Sequence, residues 1–146
     1  MIDHLLKLNF KVILIGSNDE RKKTNIIMEK FLNYQNKIFN FAGNTTIGEL
    51  IAIFEIYKVI FVTNDSGPLH LANLSRCPTI SLWGPGDPQH YADKYDKHII
   101  IYEKVFCSPC IYINVKPPCN GNNICMKKIR VLNVLQHCLK LVENYK

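Results

Sequence analysis

The chain has 146 residues, 47% of them hydrophobic and 21% charged, so it can hold a core and is not disordered over its length. Eighteen basic against twelve acidic residues give a net charge of +6, which favours an anionic partner such as a phosphorylated sugar, a lipid surface or nucleic acid. No apolar run approaches the roughly 18 residues of a membrane span, and Met1-Ile2-Asp3-His4 does not open a signal peptide.

These features lead to the expectation of a cytoplasmic protein with reduced cysteines. The basic residues are scattered, with short clusters at Arg21-Lys22-Lys23 and Lys127-Lys128. No long basic run interleaved with aromatics appears, so the clusters read as solvated helix faces and nucleic acid is not an expected partner.

In chain order, residues 4–9 read as the end of a helix. Residues 10–15 form an apolar run closed by Gly16, the pattern of a buried strand. Residues 19–34 read as a helix with Ile26, Ile27, Lys30, Phe31 and Tyr34 on its inner face. A short strand is expected at 37–41. Thr46 and Glu49 form a capping box for a helix over 47–57. Strands follow at 59–63, 78–83 and 98–102, with a helix over 66–74 between the first two. Residues 107–125 form an irregular loop rich in Pro, Asn and Gly, and a final helix covers 129–143. Strands alternating with helices predict an α/β fold, a Rossmann-like, mostly parallel sheet with helices on both faces. Residues 1–146 read as a single domain, without internal repeat or linker.

The strand over 59–63 runs straight into Asp65-Ser66-Gly67 and a helix. In a parallel sheet that loop lies at the carboxyl end of a strand, where such folds bind ligands. Ser66 can cap the helix, Pro68 fits its first turn, and Gly67 lets a ligand approach the backbone. Free N–H groups at the positive helix end suit a phosphate. His70, four residues after Ser66, can donate to the same anion. An ordinary capped helix with a structural histidine fits these residues equally well.

The stretch VTNDSGPLHLANLSRCPTISLWGPGDPQHY, residues 62–91, resembles the signature of the heptosyltransferase-like glycosyltransferases, glycosyltransferase family nine. Their pattern is a strand, D-S/T-G-x-x-H-L-A, a short helix, a second strand, and a Phe/Trp-Gly loop followed by Pro. Residues 12–16 with Asp19-Glu20, and Gly43 to Leu50, resemble two further segments in family order. The resemblance implies the C-terminal, donor-binding half of a GT-B glycosyltransferase. It implies transfer of a heptose or related sugar from a nucleotide diphosphate donor such as ADP-heptose to a lipopolysaccharide-core acceptor. No metal or cofactor is required. Peripheral association with the inner membrane is a further implied partner.

By position, Asp65, Ser66, Gly67 and His70 would surround the donor diphosphate and its sugar. Asp65, which repels phosphate, would bond a sugar hydroxyl or tie the loop down. Gly84 and Gly86 in the next loop could fold against the donor or simply make a tight turn, and Gly16 lies near the nucleotide or in a plain turn. The family's first donor-domain strand, with its basic residue, is missing from the match. In a Rossmann-like order that strand is central, so two blocks of strands are expected without their common neighbour. The acceptor domain with its general base is also missing. This chain alone is therefore expected to bind rather than to catalyse.

Cys107, Cys110, Cys119 and Cys125 stand in a C-x2-C-x8-C-x5-C arrangement. They could bind zinc tetrahedrally, serve as reduced structural thiols, or pair as disulfides. Cys77 and Cys138 sit in apolar surroundings and read as core residues. Beside the enzyme reading stand two others: a catalytically incomplete nucleotide-sugar-binding module, and a zinc-stabilised interaction domain.

Overall fold

The structure is a computed structural model that describes residues 1–111, 113 and 116–143. Part of the expected loop over 107–125 thus lies outside the described residues. The fold is α/β and every strand pair is parallel. The chain forms two compact units, Met1–Leu50 and Ile51–Lys146, each with its own sheet.

The first unit holds α1 (Ile2–Lys7), β1 (Val12–Leu14), α2 (Arg21–Glu29) and β2 (Ile38–Asn40). Strands β1 and β2 pair from Val12 opposite Ile38 to Leu14 opposite Asn40. Leu6, Ile38, Ala42 and Leu50 are buried and form its core. The continuous helix expected over 19–34 is broken. A 3-10 turn at Asn18–Glu20 leads in, and another at Leu32–Tyr34 follows. Asn33, Tyr34 and Asn36 are weaker helix formers than the Lys, Met and Glu residues of α2, which favours an early stop. With α2 ended at Glu29, Lys30 and Ile26 face solvent, and the buried residue is Thr24. Its hydroxyl donates to Arg21 O at 2.9 Å, which removes the cost of burying it.

Helix α3 (Ile47–Ile56) starts at the expected capping box. The Thr46 N–H donates to Glu49 Oε2 at 2.8 Å, and the Glu49 N–H donates to Thr46 Oγ1 at 3.2 Å. The bond from the Thr46 N–H, and then that from the Thr46 hydroxyl at 2.9 Å, hold the Glu49 carboxyl below its ordinary pKa.

The second unit carries β3 (Phe61–Asn64), α4 (Gly67–Leu74), β4 (Thr79–Trp83), α5 (Pro88–Tyr91), β5 (His98–Tyr102), α6 (Ile124–Lys128) and α7 (Val131–Glu143). The sheet order is β3-β4-β5. Central β4 is buried at Thr79, Ile80, Ser81 and Trp83. Helix α7 packs against it and buries Val134, Leu135, Cys138 and Leu141, spaced as one helical stripe. The expected last helix, 129–143, is preceded by the unexpected α6.

Three of β4's buried side chains carry a polar group: the Thr79 hydroxyl donates to Cys77 O at 2.8 Å, and Ser81 and Trp83 bond each other. The Trp83 Nε1–H donates to Ser81 Oγ at 2.7 Å. His98 Nδ1 lies 2.5 Å from Asp93 O and must donate there, since a carbonyl only accepts. His98 Nε2 is then the bare nitrogen, and the Ser81 hydroxyl donates to it at 2.7 Å. This chain of bonds requires neutral imidazole, and burial pushes the His98 pKa below its ordinary 6.5. Unfolding releases a histidine that protonates more readily, so stability is full above about pH 6.5 and declines as pH falls toward the lower folded-state value. The urea midpoint is expected to drop between pH 7.5 and 5.5, and H98Q is expected to flatten that drop. An equal pH dependence in H98Q would contradict the assignment.

Candidate functional site

The three strands of the second unit end nearly in step, with Asn64 opposite Leu82 and Trp83 opposite Tyr102. The loops that leave β3, β4 and β5 therefore emerge at one carboxyl edge. This is the edge at which parallel α/β sheets present ligands.

From β3 the chain passes through Asp65 and Ser66 into α4, with Pro68 in its first turn. Ser66 is extended, with φ −160° and ψ 165°. Its side chain does not cap the helix as expected. It donates instead to Asn64 O at 3.3 Å and lies 3.2 Å from Thr63 Oγ1. The hydroxyls of Thr63 and Ser66 thus stiffen the turn from strand to helix. The Leu69 N–H bonds Ser66 O at 3.0 Å, and Pro68 has no N–H. Gly67 is exposed, and no atom comes within 4 Å of the position its Cβ would take. Its backbone stands open at the positive end of an eight-residue helix. His70 is exposed one turn along the same helix.

Asp65 is exposed, but its carboxylate is brought to the second loop. A Cβ on Gly86 would fall 2.8 Å from Asp65 Oδ2. Gly86 is therefore small because Asp65 occupies the space beside it. Gly84 has a different reason. Its missing Cβ would meet the Met126 side chain at 2.6 Å and Cys125 Sγ at 3.2 Å. The space at Gly84 belongs to α6 and leaves no room there for a ligand. Of the two loop glycines, Gly86 borders the Asp65 turn and Gly84 anchors the later chain. Gly16, in the first unit, is closed by its own turn: its Cβ would lie 2.9 Å from Glu20 Oε2, which accepts from the Ser17 N–H.

The second loop contains a pair that sequence reading missed. Asp87 caps α5 by accepting the Gln89 N–H at 2.9 Å, and its other oxygen lies 2.8 Å from His90 Nδ1. The bond from His90, then that from Gln89, holds the Asp87 carboxyl below its ordinary range. The signal was present as Asp87-Pro88, a helix cap followed by a proline at the first helical position.

The four loop cysteines lie near one another, close enough for Cys107, Cys125 and Cys119 to act on Cys110. Among the described residues, no group of three or more His, Cys, Asp and Glu side chains is arranged to hold a metal ion. All four are free thiols with different surroundings. Burial, and then the neighbouring Cys107, Cys125 and Cys119, push the Cys110 pKa up. Backbone N–H groups of Asn123, Gly121, Ile124 and Asn122 pull Cys119 down. Cys77 and Cys138 are buried as expected.

These roles for glycine separate in substitutions. G84A is expected to destabilise by about 1–3 kcal/mol, because Met126 and Cys125 must move. G67A, placed in open space at a negative φ, is expected to leave stability within about 0.5 kcal/mol. Equal urea midpoints for both variants would contradict the packing at Gly84.

Comparison with known proteins places this edge in context. The family model for glycosyltransferase family 9 (heptosyltransferase) matches residues 1–117. Lipooligosaccharide heptosyltransferase 2 of Campylobacter jejuni is 25% identical over 143 residues, covering 94% of this chain and 44% of that protein. Lipopolysaccharide heptosyltransferase 2 of Escherichia coli is 33% identical over 86 residues, 58% of this chain and 24% of the relative. Among solved structures, E. coli ADP-heptose LPS heptosyltransferase II superposes with a TM-score of 0.80 at 23% identity, over 98% of this chain and 39% of that one. A family 9 glycosyl transferase from Veillonella parvula gives 0.76 at 20% identity. The chain thus spans less than half the length of these relatives. The family match covers most of its length, and the chain belongs to glycosyltransferase family 9.

Proposed function

We propose that this chain is the nucleotide-sugar-binding part of a heptosyltransferase-like enzyme. Its donor is of the ADP-heptose kind, and its acceptor is a lipopolysaccharide-core glycolipid. The observation that carries the reading is the open backbone at Gly67, at the head of α4, with His70 exposed one turn on. The donor diphosphate would lie over the Gly67 N–H and accept from His70. Both groups would gain strength as charge builds on the departing diphosphate, which lowers the barrier. Asp65, placed beside Gly86, would accept from a sugar hydroxyl rather than face the phosphates. The general base would come from a part of the enzyme that this chain does not match.

A catalytically incomplete binding module is the second reading, favoured by the 44% coverage of the Campylobacter relative. A zinc-stabilised interaction domain is the third reading, supported by the proximity of Cys107, Cys119 and Cys125 to Cys110, and metal analysis of protein purified without added zinc tests it.

Calorimetric titration with ADP-heptose, ADP and a UDP-sugar tests the site. ADP-heptose is expected to bind, and H70A to weaken it by about tenfold or more, the loss expected for a hydrogen bond to a charged group. The variant T46A, remote in sequence from the loop, is expected to bind unchanged. Absence of nucleotide binding in the parent chain would refute the donor site. The chain alone is expected to show no heptose transfer to lipopolysaccharide core, and turnover in the ordinary range of about 1–1000 per second would refute its incompleteness.

A further inference from the structure

The Asp87–His90 pair includes a ring that its helix does not need. One Asp87 oxygen caps α5 by accepting the Gln89 N–H at 2.9 Å. The other lies 2.8 Å from His90 Nδ1 and adds nothing to the cap. The His90 side chain is 76% exposed, and a pair so open to water contributes little to stability. Holding an exposed ring in one orientation also costs side-chain freedom. The Tyr91 ring stands beside it, with centroids 6.3 Å apart.

The bond to Asp87 fixes the chemistry of the ring as well as its direction. A carboxylate only accepts, so Nδ1 donates to Asp87. In neutral His90 the other nitrogen, Nε2, is then bare and acts as an acceptor. Among the described residues no further hydrogen bond reaches the ring.

The pair stands next to the proposed donor site. Gly86 directly precedes Asp87, and the place of its missing Cβ lies 2.8 Å from Asp65 Oδ2. Asp65 in turn is two residues before Gly67. The two loops thus offer two kinds of group on one edge of the second unit. The head of α4 offers a donor, whereas Asp65 and His90 offer acceptors. A nucleotide sugar has two matching parts: a diphosphate that accepts, and a sugar whose hydroxyls donate.

We propose that His90, oriented by Asp87, is a specificity-determining residue that accepts a hydroxyl of the transferred sugar through Nε2, beside Asp65. Asp87 is its positioning residue. This role rests on the donor-site reading and adds to it the loop that reads the sugar.

The test is calorimetric titration of the full chain and its variants with ADP-heptose and with ADP. The parent chain is expected to bind ADP-heptose more tightly than ADP. H90L removes the acceptor and is expected to weaken ADP-heptose about fivefold, the loss of one neutral hydrogen bond, while ADP stays within about twofold. H90Q, whose amide oxygen can replace Nε2, is expected to stay within about twofold of the parent for both ligands. D87N keeps an oxygen for the cap but turns an amide N–H toward Nδ1, which moves the ring proton to Nε2. It is expected to weaken ADP-heptose selectively, as H90L does. Urea midpoints of H90L and H90Q are expected to match the parent, because the ring is exposed. H70A, on the phosphate side, is expected to weaken both ligands.

Equal losses of ADP and ADP-heptose in H90L overturn the proposal, since the ring then meets phosphate or only supports the loop. No loss of either ligand in H90L overturns it too, as does a parent chain that binds the two ligands equally. If H70A loses both ligands and H90L loses none, the donor site stands and the role of His90 falls. A parent that binds neither ligand removes the donor site and this role with it.

Discussion

The second unit depends on one crowded turn. After β4 the chain passes Gly84 and Pro85, and two distant segments close on these residues. Ser108 and the Cys110 and Ile111 amides bind their carbonyls, and Met126 and Cys125 fill the place of a side chain at Gly84. A side chain at position 84 would hold that later segment away. The loop after β5 is irregular and largely without ladder bonds, so it keeps its place through these anchors. A buried carbonyl without such a donor would itself be costly, so the anchor and its partner are both satisfied by the same bond.

The neighbouring turn solves a different problem. A carboxylate next to a phosphate site is repelled by the charge it helps to bind. Here Asp65 is turned toward Gly86, a residue with no side chain to displace it. In the proposed donor site the helix head at Gly67 would be left to the anion, and the carboxylate would be free to meet neutral hydroxyls.

Local features were legible in the sequence wherever the stabilising partners are neighbours in the chain. The capping box of Thr46 and Glu49 joins residues three apart, and α3 begins where it says. Strand β5 covers residues 98–102 as its apolar run requires. The departures have separate physical causes. Helix α2 stops early because propensity outweighs an apolar stripe that has little to pack on. Ser66 gives up capping because the Thr63 hydroxyl and Asn64 carbonyl lie closer to hand. The reason for Gly84 lies about forty residues downstream, and no spacing rule reaches that far. The Asp65–His70 segment was picked out through its family pattern, whereas the Asp87–His90 pair, three residues apart and signalled by Asp87-Pro88, was passed over.

The six thiols of this chain are chemically unequal. Thiolate, not thiol, is the nucleophile, so reactivity follows acidity and access. Burial lifts Cys77 to about 12 and raises Cys138, which silences both in the core. Cys110 is raised as well, although it belongs to the loop. Cys119 is lowered by four backbone amides and is only partly covered. An electrophile approaching the folded protein therefore meets a graded set of targets. The loop presents a natural attachment point for a spectroscopic label, while the core thiols stay untouched until the chain unfolds.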